Sequence, residues 1–147
     1  MKTLVMAIAF LLTAGMVSAQ LRKVPAEVTD AFKAKYPDAR QVEWKDKLTR
    51  FDVDFVSNNL QSTASFSNDG KWQKTEQKME FENLPAAVKD GFNKSKYNDW
   101  TPGSVTKISS ADEGIQYKVY AEKSSIVQKK FLYFNEQGQL IKDTPGI

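Results

Sequence analysis

The side chains that most enzymes use for chemistry are scarce in this sequence. It contains no histidine and no cysteine, which removes the commonest general base, the commonest metal ligand and the thiol nucleophile. It also lacks the glycine motifs that bind phosphates and the serine motif of hydrolases. The residue types that remain predict no catalytic residue, no metal site and no cofactor.

Two pairs of carboxylates are the remaining candidates for chemistry. Asp52 and Asp54 alternate with apolar residues, so both face one side of a predicted strand, where they could bind a hard cation or exchange a proton. Calcium requires six or more oxygen ligands, and the sequence has no calcium-loop motif. We therefore interpret this pair as a solvated sheet face neutralised by basic residues at 45–50. Glu80 and Glu82 are interpreted as solvated residues of a connection.

A group of aromatic and basic residues is better suited to binding than to reaction. Side chains alternate across a strand, so the residues between the predicted core positions at 115–134 face away from the core. In the first half of the chain the equivalent outward residues are polar: Asp52, Asp54, Thr63, Ser65 and Gln73. In the second half three are aromatic, and we predict a binding face for a protein or peptide there: Tyr120, Phe131 and Tyr133, flanked by Lys118 and Lys129. A covering loop or a second copy of the chain is the open alternative for these aromatics.

The elements that position these residues occur twice in the sequence. VPAEVTDAF at 24–32 is matched by LPAAVKDGF at 84–92. The pattern F-x-x-x-G-x-apolar also occurs twice, at 66–72 and 134–140. The helix pattern precedes the glycine pattern in both halves of the chain. We therefore predict two tandem repeats of about 60 residues, at 20–82 and 83–147.

Each repeat is predicted to be one helix followed by about four antiparallel strands, an α+β fold. Val28 and Phe32, and then Val88 and Phe92, have the spacing of an apolar helix face. Pro25 is placed just inside the first helix, which Tyr36-Pro37 ends, and the second helix is predicted to end within 96–100. After each helix the apolar period changes to two, as in strands. One helix on four strands has a thin core, so we expect the two sheets to join or to share a core.

These repeated patterns resemble the PepSY-like family of exported bacterial proteins. The resemblance rests on the two proline-initiated helix patterns, on Tyr36-Pro37-Asp38-Ala39, on the strand at 51–55 and on the two glycine hairpins. It implies a fold similar to that of the β-lactamase inhibitor protein and carries no catalytic residues. Related PepSY domains occur in metallopeptidase propeptides, which suggests a peptidase-inhibitor-like role by analogy.

The first nineteen residues have the pattern of a secretory signal peptide. Lys2 precedes a nine-residue apolar run at 4–12, and the run is less than half of what a membrane span requires. The small residues of Val17-Ser18-Ala19 predict cleavage between Ala19 and Gln20. We expect a periplasmic or secreted protein without stable membrane insertion. Lysine and arginine are interleaved with acidic residues, which argues against a nucleic-acid partner.

Three classes of function follow from the sequence. The first is an exported, non-enzymatic binding module for a peptide or protein. The second is a structural or envelope-interaction protein without a soluble ligand. The third, an enzyme, is the least favoured, because the missing residue types leave only carboxylate or isolated serine schemes.

Overall fold

The computed structural model describes residues 22–146. A first helix, α1 Ala26–Lys35, precedes four strands: β1 Arg40–Asp46, β2 Arg50–Ser57, β3 Leu60–Ser67 and β4 Trp72–Met79. After a 3-10 turn at Phe81–Asn83, a second helix, α2 Ala86–Lys94, precedes four more: β5 Thr101–Ser110, β6 Gly114–Lys123, β7 Gln128–Asn135 and β8 Leu140–Pro145. The order of one helix and four strands thus occurs twice. The predicted signal peptide lies outside the described residues.

All eight strands form one antiparallel sheet in chain order, from β1 to β8. The two halves meet where β4 pairs with β5, from Lys74 opposite Ser110 to Met79 opposite Val105. Of the two arrangements that the sequence left open, the structure shows joined sheets. The predicted α+β class is confirmed by these two helices on an antiparallel sheet.

Both helices lie on the same face of the sheet, and each has its own apolar cluster. Val28 and Phe32 of α1 pack on alternate residues of β2 and β3. Val88 and Phe92 of α2 pack on alternate residues of β5, β6 and β7. All four side chains are buried, as their helical spacing predicted. Trp100 is also buried, in the second cluster.

The glycine of each predicted hairpin contacts the first turn of a helix. Gly70 has φ +83°, and a Cβ built on it would lie 2.6 Å from the carbonyl oxygen of Glu27 in α1. Gly138 has φ +80°, and its Cβ would lie 2.0 Å from the carbonyl oxygen of Ala87 in α2. Only glycine combines this backbone conformation with such close approach. The F-x-x-x-G pattern therefore marks both a turn and a helix contact.

Two predicted helix boundaries are wrong by a few residues. Pro25 has extended backbone angles and is the N-cap of α1, so it precedes the first helical residue. The second helix ends at Lys94, before the predicted 96–100. It ends there because the Ser95 hydroxyl donates to the carbonyl of Phe92 and accepts from the amide of Tyr97, which turns the chain.

Candidate binding site on the outer face of the sheet

The five residues of the predicted binding face lie together on β6 and β7. Lys118 is opposite Tyr133, and Tyr120 is opposite Phe131. Lys129 precedes Phe131 by two residues on β7 and is opposite Glu122. The residues between them point to the second apolar cluster and are buried: Val119, Ala121, Leu132 and Phe134. The predicted residues therefore share the outer face of the sheet, away from both helices.

The three aromatic side chains of this group are partly exposed. Tyr120 and Phe131 contact each other, with ring centroids 5.7 Å apart. A Cβ on Gly103 would lie 2.9 Å from Cδ1 of Tyr120, so the ring packs directly on the backbone of β5. The register of β5 and β6 shifts between Pro102 and Val105, and this bulge contains Gly103. The Tyr120 ring is therefore contacted from two sides.

Two lysines of the outer face lie over aromatic rings. Nζ of Lys118 is 5.2 Å from the ring centre of Phe131, and Nζ of Lys142 is 4.6 Å from that of Tyr133. Contacts of this kind are worth about 0.5–1 kcal/mol at exposed sites. Lys142 was not predicted as a site residue. It faces outward because the register of β7 and β8 shifts between Tyr133 and Phe134, which adds one residue to β8.

A shallow cavity of about 440 Å³ adjoins the aromatic group. Side chains of six adjacent strands line it, from Gln41 of β1 to Lys118 of β6. A cavity shared by six neighbouring strands requires the sheet to curve, so the outer face is concave. Lys118 belongs both to this cavity and to the aromatic group.

The carboxylates of the first half are neutralised on this face. Asp52 accepts hydrogen bonds from Arg50 at 2.9 Å and from Ser65 at 2.8 Å. Asp54 binds Lys45 at 2.5 Å and accepts from Thr63, and the hydrogen bond from Lys45 is the main cause that lowers the pKa of Asp54. Asp52 is buried, so the solvated face that we predicted for this pair is wrong at that position. Within residues 22–146, no group of three or more acidic side chains is arranged to hold a metal ion.

Comparison with known proteins identifies the family. The family model described as "Putative beta-lactamase-inhibitor-like, PepSY-like" matches residues 49–142, more than half of the chain. The chain belongs to this PepSY-like family. The resemblance drawn from the helix and hairpin residues is thereby confirmed. No curated protein matches the sequence.

Solved structures of similar proteins have the same fold. A BLIP-like protein from Bacteroides fragilis is 26% identical, with a TM-score of 0.79, over 86% of this chain and 89% of its own. A protein from Bacteroides eggerthii described as "putative periplasmic" is 23% identical, with a TM-score of 0.74, over 84% of this chain and 90% of its own. A DUF2874 family protein from Bacteroides ovatus is 22% identical, with a TM-score of 0.77, over 84% and 89%. No helix within residues 22–146 is long and apolar enough to cross a membrane.

Proposed function

We propose that this PepSY-like protein is an exported, non-enzymatic binding module that holds a protein or peptide on its outer sheet face. The observation that carries the proposal is the group of partly exposed aromatics, Tyr120, Phe131 and Tyr133, beside the concave cavity. Aromatic residues are enriched at protein interfaces, and rigidly held ones lose little entropy on binding. Lys118 and Lys129 complete the proposed site.

The family supports a binding role rather than catalysis. An inhibitor-like family implies protein partners, and a peptidase-inhibitor-like role is one form of the proposed function. The sequence adds that histidine and cysteine are absent. Export is supported by the signal-peptide pattern, with cleavage proposed between Ala19 and Gln20, and by the description of one structural relative as "putative periplasmic".

We also propose that the halves 20–82 and 83–147 are copies of one unit, specialised differently. Supporting this, the two hairpin glycines contact equivalent positions of the two helices, Glu27 and Ala87, which are 60 residues apart. The outer face is polar and internally neutralised in the first half, at Asp52 and Asp54, and aromatic in the second. On this proposal the second copy supplies the aromatic part of the binding face.

Capture from periplasmic extract tests the binding face. The chain from Gln20 to Ile147 serves as bait, beside a Tyr120→Ser, Tyr133→Ser double variant. We expect a protein captured by the wild type to be lost by the variant, while the melting temperature stays nearly unchanged. A matched control is Leu48→Ser with Leu60→Ser, which removes exposed apolar side chains from hairpins of the first half and should leave capture intact.

Two outcomes would contradict the proposal. If the tyrosine variant still captures the same protein, the binding face lies elsewhere. If the variant loses most of its thermal stability, the tyrosines are part of the core and the site is wrong. Failure of the wild type to capture any protein would favour the structural, envelope-interaction alternative.

A further inference from the structure

The charges on the outer face separate into a neutralised group and a group without partners. Three acidic residues of this face form ion pairs with basic residues of β1, β2 and β4: Asp54 with Lys45, Asp52 with Arg50, and Glu76 with Lys74. Lys78, Lys118, Lys129 and Lys142 also lie on this face, and none of them forms an ion pair within residues 22–146. Glu43 and Glu122 of this face also form no ion pair within residues 22–146, and Glu122 lies opposite Lys129. The four lysines outnumber these two carboxylates, so the uncompensated charge of the face is positive.

Three of these lysines lie in one row across the sheet. The strand register places five residues side by side on β4 to β8: Lys78, Thr106, Lys118, Tyr133 and Lys142. Neighbouring strands are about 4.8 Å apart, so successive lysines of the row are about 10 Å apart at the backbone. A hydroxyl group, of Thr106 or of Tyr133, lies between each pair of lysines. We call these five residues the lysine row.

Each gap in the lysine row offers the donors that a carboxylate requires. Two ammonium groups and a hydroxyl group can converge on one carboxylate between Lys78 and Lys118, and again between Lys118 and Lys142. The cation–π contacts with Phe131 and Tyr133 hold Lys118 and Lys142 near the second gap. The apolar surface of Tyr120 and Phe131 is beside the row, two residues from Lys118 along β6 and from Tyr133 along β7.

We propose that the partner is a protein that presents an acidic segment to the lysine row, with two carboxylates about 10 Å apart and an apolar side chain next to them. In a polyproline II segment, which has three residues per turn and rises about 3.1 Å per residue, that spacing corresponds to residues three apart on one face. The apolar side chain packs on Tyr120 and Phe131. This inference rests on the proposed function and adds the chemistry of the partner.

The shape and charge of the face favour a protein segment over other anions. A bilayer surface is flat on this scale and does not reach into a concave face. An extended polyanion along the sheet would run past Asp54 and Glu76, whose carboxylates would face it across the cavity. A short acidic loop can meet the lysine row, on β4 to β8, without crossing β2, where Asp54 lies. The carboxylate of Glu76, beside the row, is paired with Lys74.

Selection of displayed peptides tests the inference without knowledge of the natural partner. A phage library of disulfide-closed random loops is selected on the chain from Gln20 to Ile147. Enriched loops are then synthesised, and their affinity is measured by fluorescence anisotropy. We expect acidic loops with Asp or Glu at positions three apart and an aromatic or aliphatic residue beside them.

Charge reversal provides the decisive variants. Lys78→Glu with Lys118→Glu should weaken binding of the selected loops about tenfold or more, because like charges then face each other. Lys23→Glu with Lys33→Glu changes the net charge equally at exposed positions off the sheet face, and should leave the affinity within about twofold because distant exposed charges are screened. Binding to the wild type should also weaken as salt is raised.

The remaining outcomes separate this inference from the proposed function. Neutral or basic loops that depend on Tyr120 and Tyr133 but tolerate Lys118→Glu would overturn the acidic partner and keep the binding face. Loops indifferent to both sets of variants, or no enriched loops, would overturn both. Binding to phosphatidylglycerol vesicles that is lost in the Lys78→Glu, Lys118→Glu variant, without acidic loops, would replace the protein segment by an anionic membrane.

Discussion

At the scale of single residues, one ion pair joins the chain preceding α1 to the first hairpin. Nε and Nη2 of Arg22 donate to the two carboxylate oxygens of Asp46, at 2.8 and 2.6 Å. Nη2 of Arg22 also donates to the carbonyl of Leu48, and its guanidinium lies 4.8 Å from the ring centre of Phe51. The hydrogen bond from Arg22 is the main cause that lowers the pKa of Asp46 from 3.8 to about 2.

This pKa predicts a loss of stability in acid. Because the pKa of Asp46 is lower in the folded state, its ionised carboxylate stabilises the fold above the unfolded pKa of about 3.9. That contribution is lost as pH falls towards 2. We expect Asp46→Asn to lower the melting temperature at pH 6 and to have little effect at pH 2. Thermal unfolding of both proteins across this range measures it, and an equal deficit at both pH values would contradict the ion pair.

The residue scale also shows what alternation along a strand can and cannot predict. Tyr120, Phe131 and Tyr133 were assigned to one face correctly, because β6 and β7 are regular where they pair. Lys78 and Lys142 were not identified, because each follows a register shift that adds a residue after the hairpin. An apolar residue starts each of these strands, so simple alternation assigns the following lysines to the wrong face. A bulge after each hairpin glycine shifts the alternation of side chains by one residue, and allowing for that shift would have placed both lysines on the outer face.

At the scale of elements, each helix is anchored by one phenylalanine. The ring of Phe32 lies 5.0 Å from that of Phe55 and 5.3 Å from that of Trp44. The ring of Phe92 lies 5.2 Å from that of Phe81 and 6.4 Å from that of Phe134. The helices have few other large apolar residues, so these two side chains supply much of the contact between helix and sheet.

Truncation of either phenylalanine should be costly. We expect Phe32→Ala and Phe92→Ala each to lower the free energy of unfolding by about 3–5 kcal/mol, since each leaves a cavity in a closed apolar cluster. Urea unfolding followed by circular dichroism measures the change. An unchanged midpoint in either variant would mean that the helix does not pack on the sheet through that face.

Each helix also contacts its hairpin through the backbone. The backbones approach more closely in the second half. The Cβ that Gly138 lacks would lie 2.0 Å from a carbonyl oxygen of α2, compared with 2.6 Å for Gly70 and α1. Gly91 of α2 faces Gly138 in turn, and a Cβ on it would lie 1.9 Å from the Gly138 carbonyl oxygen. The equivalent residue of α1 is Ala31, so the wider gap in the first half accommodates a methyl group.

This difference predicts an order of stability among glycine variants. Gly138→Ala should cost about 2–5 kcal/mol, from the left-handed backbone and the steric conflict together. Gly70→Ala should cost less, because its conflict is smaller. Gly114→Ala is the control: its φ is +70° but nothing lies within 4 Å, so only the backbone penalty of about 1–2 kcal/mol applies. Equal costs at all three positions, measured in urea, would exclude the helix contact as a cause.

The elements were largely predictable, and the misses have local causes. The two helix faces and the change to strand periodicity were assigned correctly from apolar spacing. The end of α2 was missed because the hydroxyl of one serine, Ser95, ends the helix without any proline nearby. The polar sequence of β4 gives no apolar period, so its pairing with β5 could not be distinguished from a shared core.

At the scale of the whole molecule, one sheet joins two separate apolar clusters. The pairing of β4 with β5 is the main connection, and both strands would become exposed edges if the halves separated. A domain of about 60 residues buries too little surface to be more than marginally stable alone. The β4–β5 pairing therefore couples the two halves, even though α1 and α2 pack on different strands.

The three tryptophans test whether the halves unfold together. Trp44 and Trp72 pack against the first cluster, and Trp100 belongs to the second. In a Trp100→Phe variant the fluorescence reports the first half, and in a Trp44→Phe, Trp72→Phe variant it reports the second. Circular dichroism reports the whole sheet in either variant. Because separation would expose the edges of β4 and β5, we expect the fluorescence and dichroism midpoints in urea to coincide within each variant, as for one cooperative unit. Separate midpoints would show that each half is stable alone, and that the β4–β5 pairing only links two independent domains.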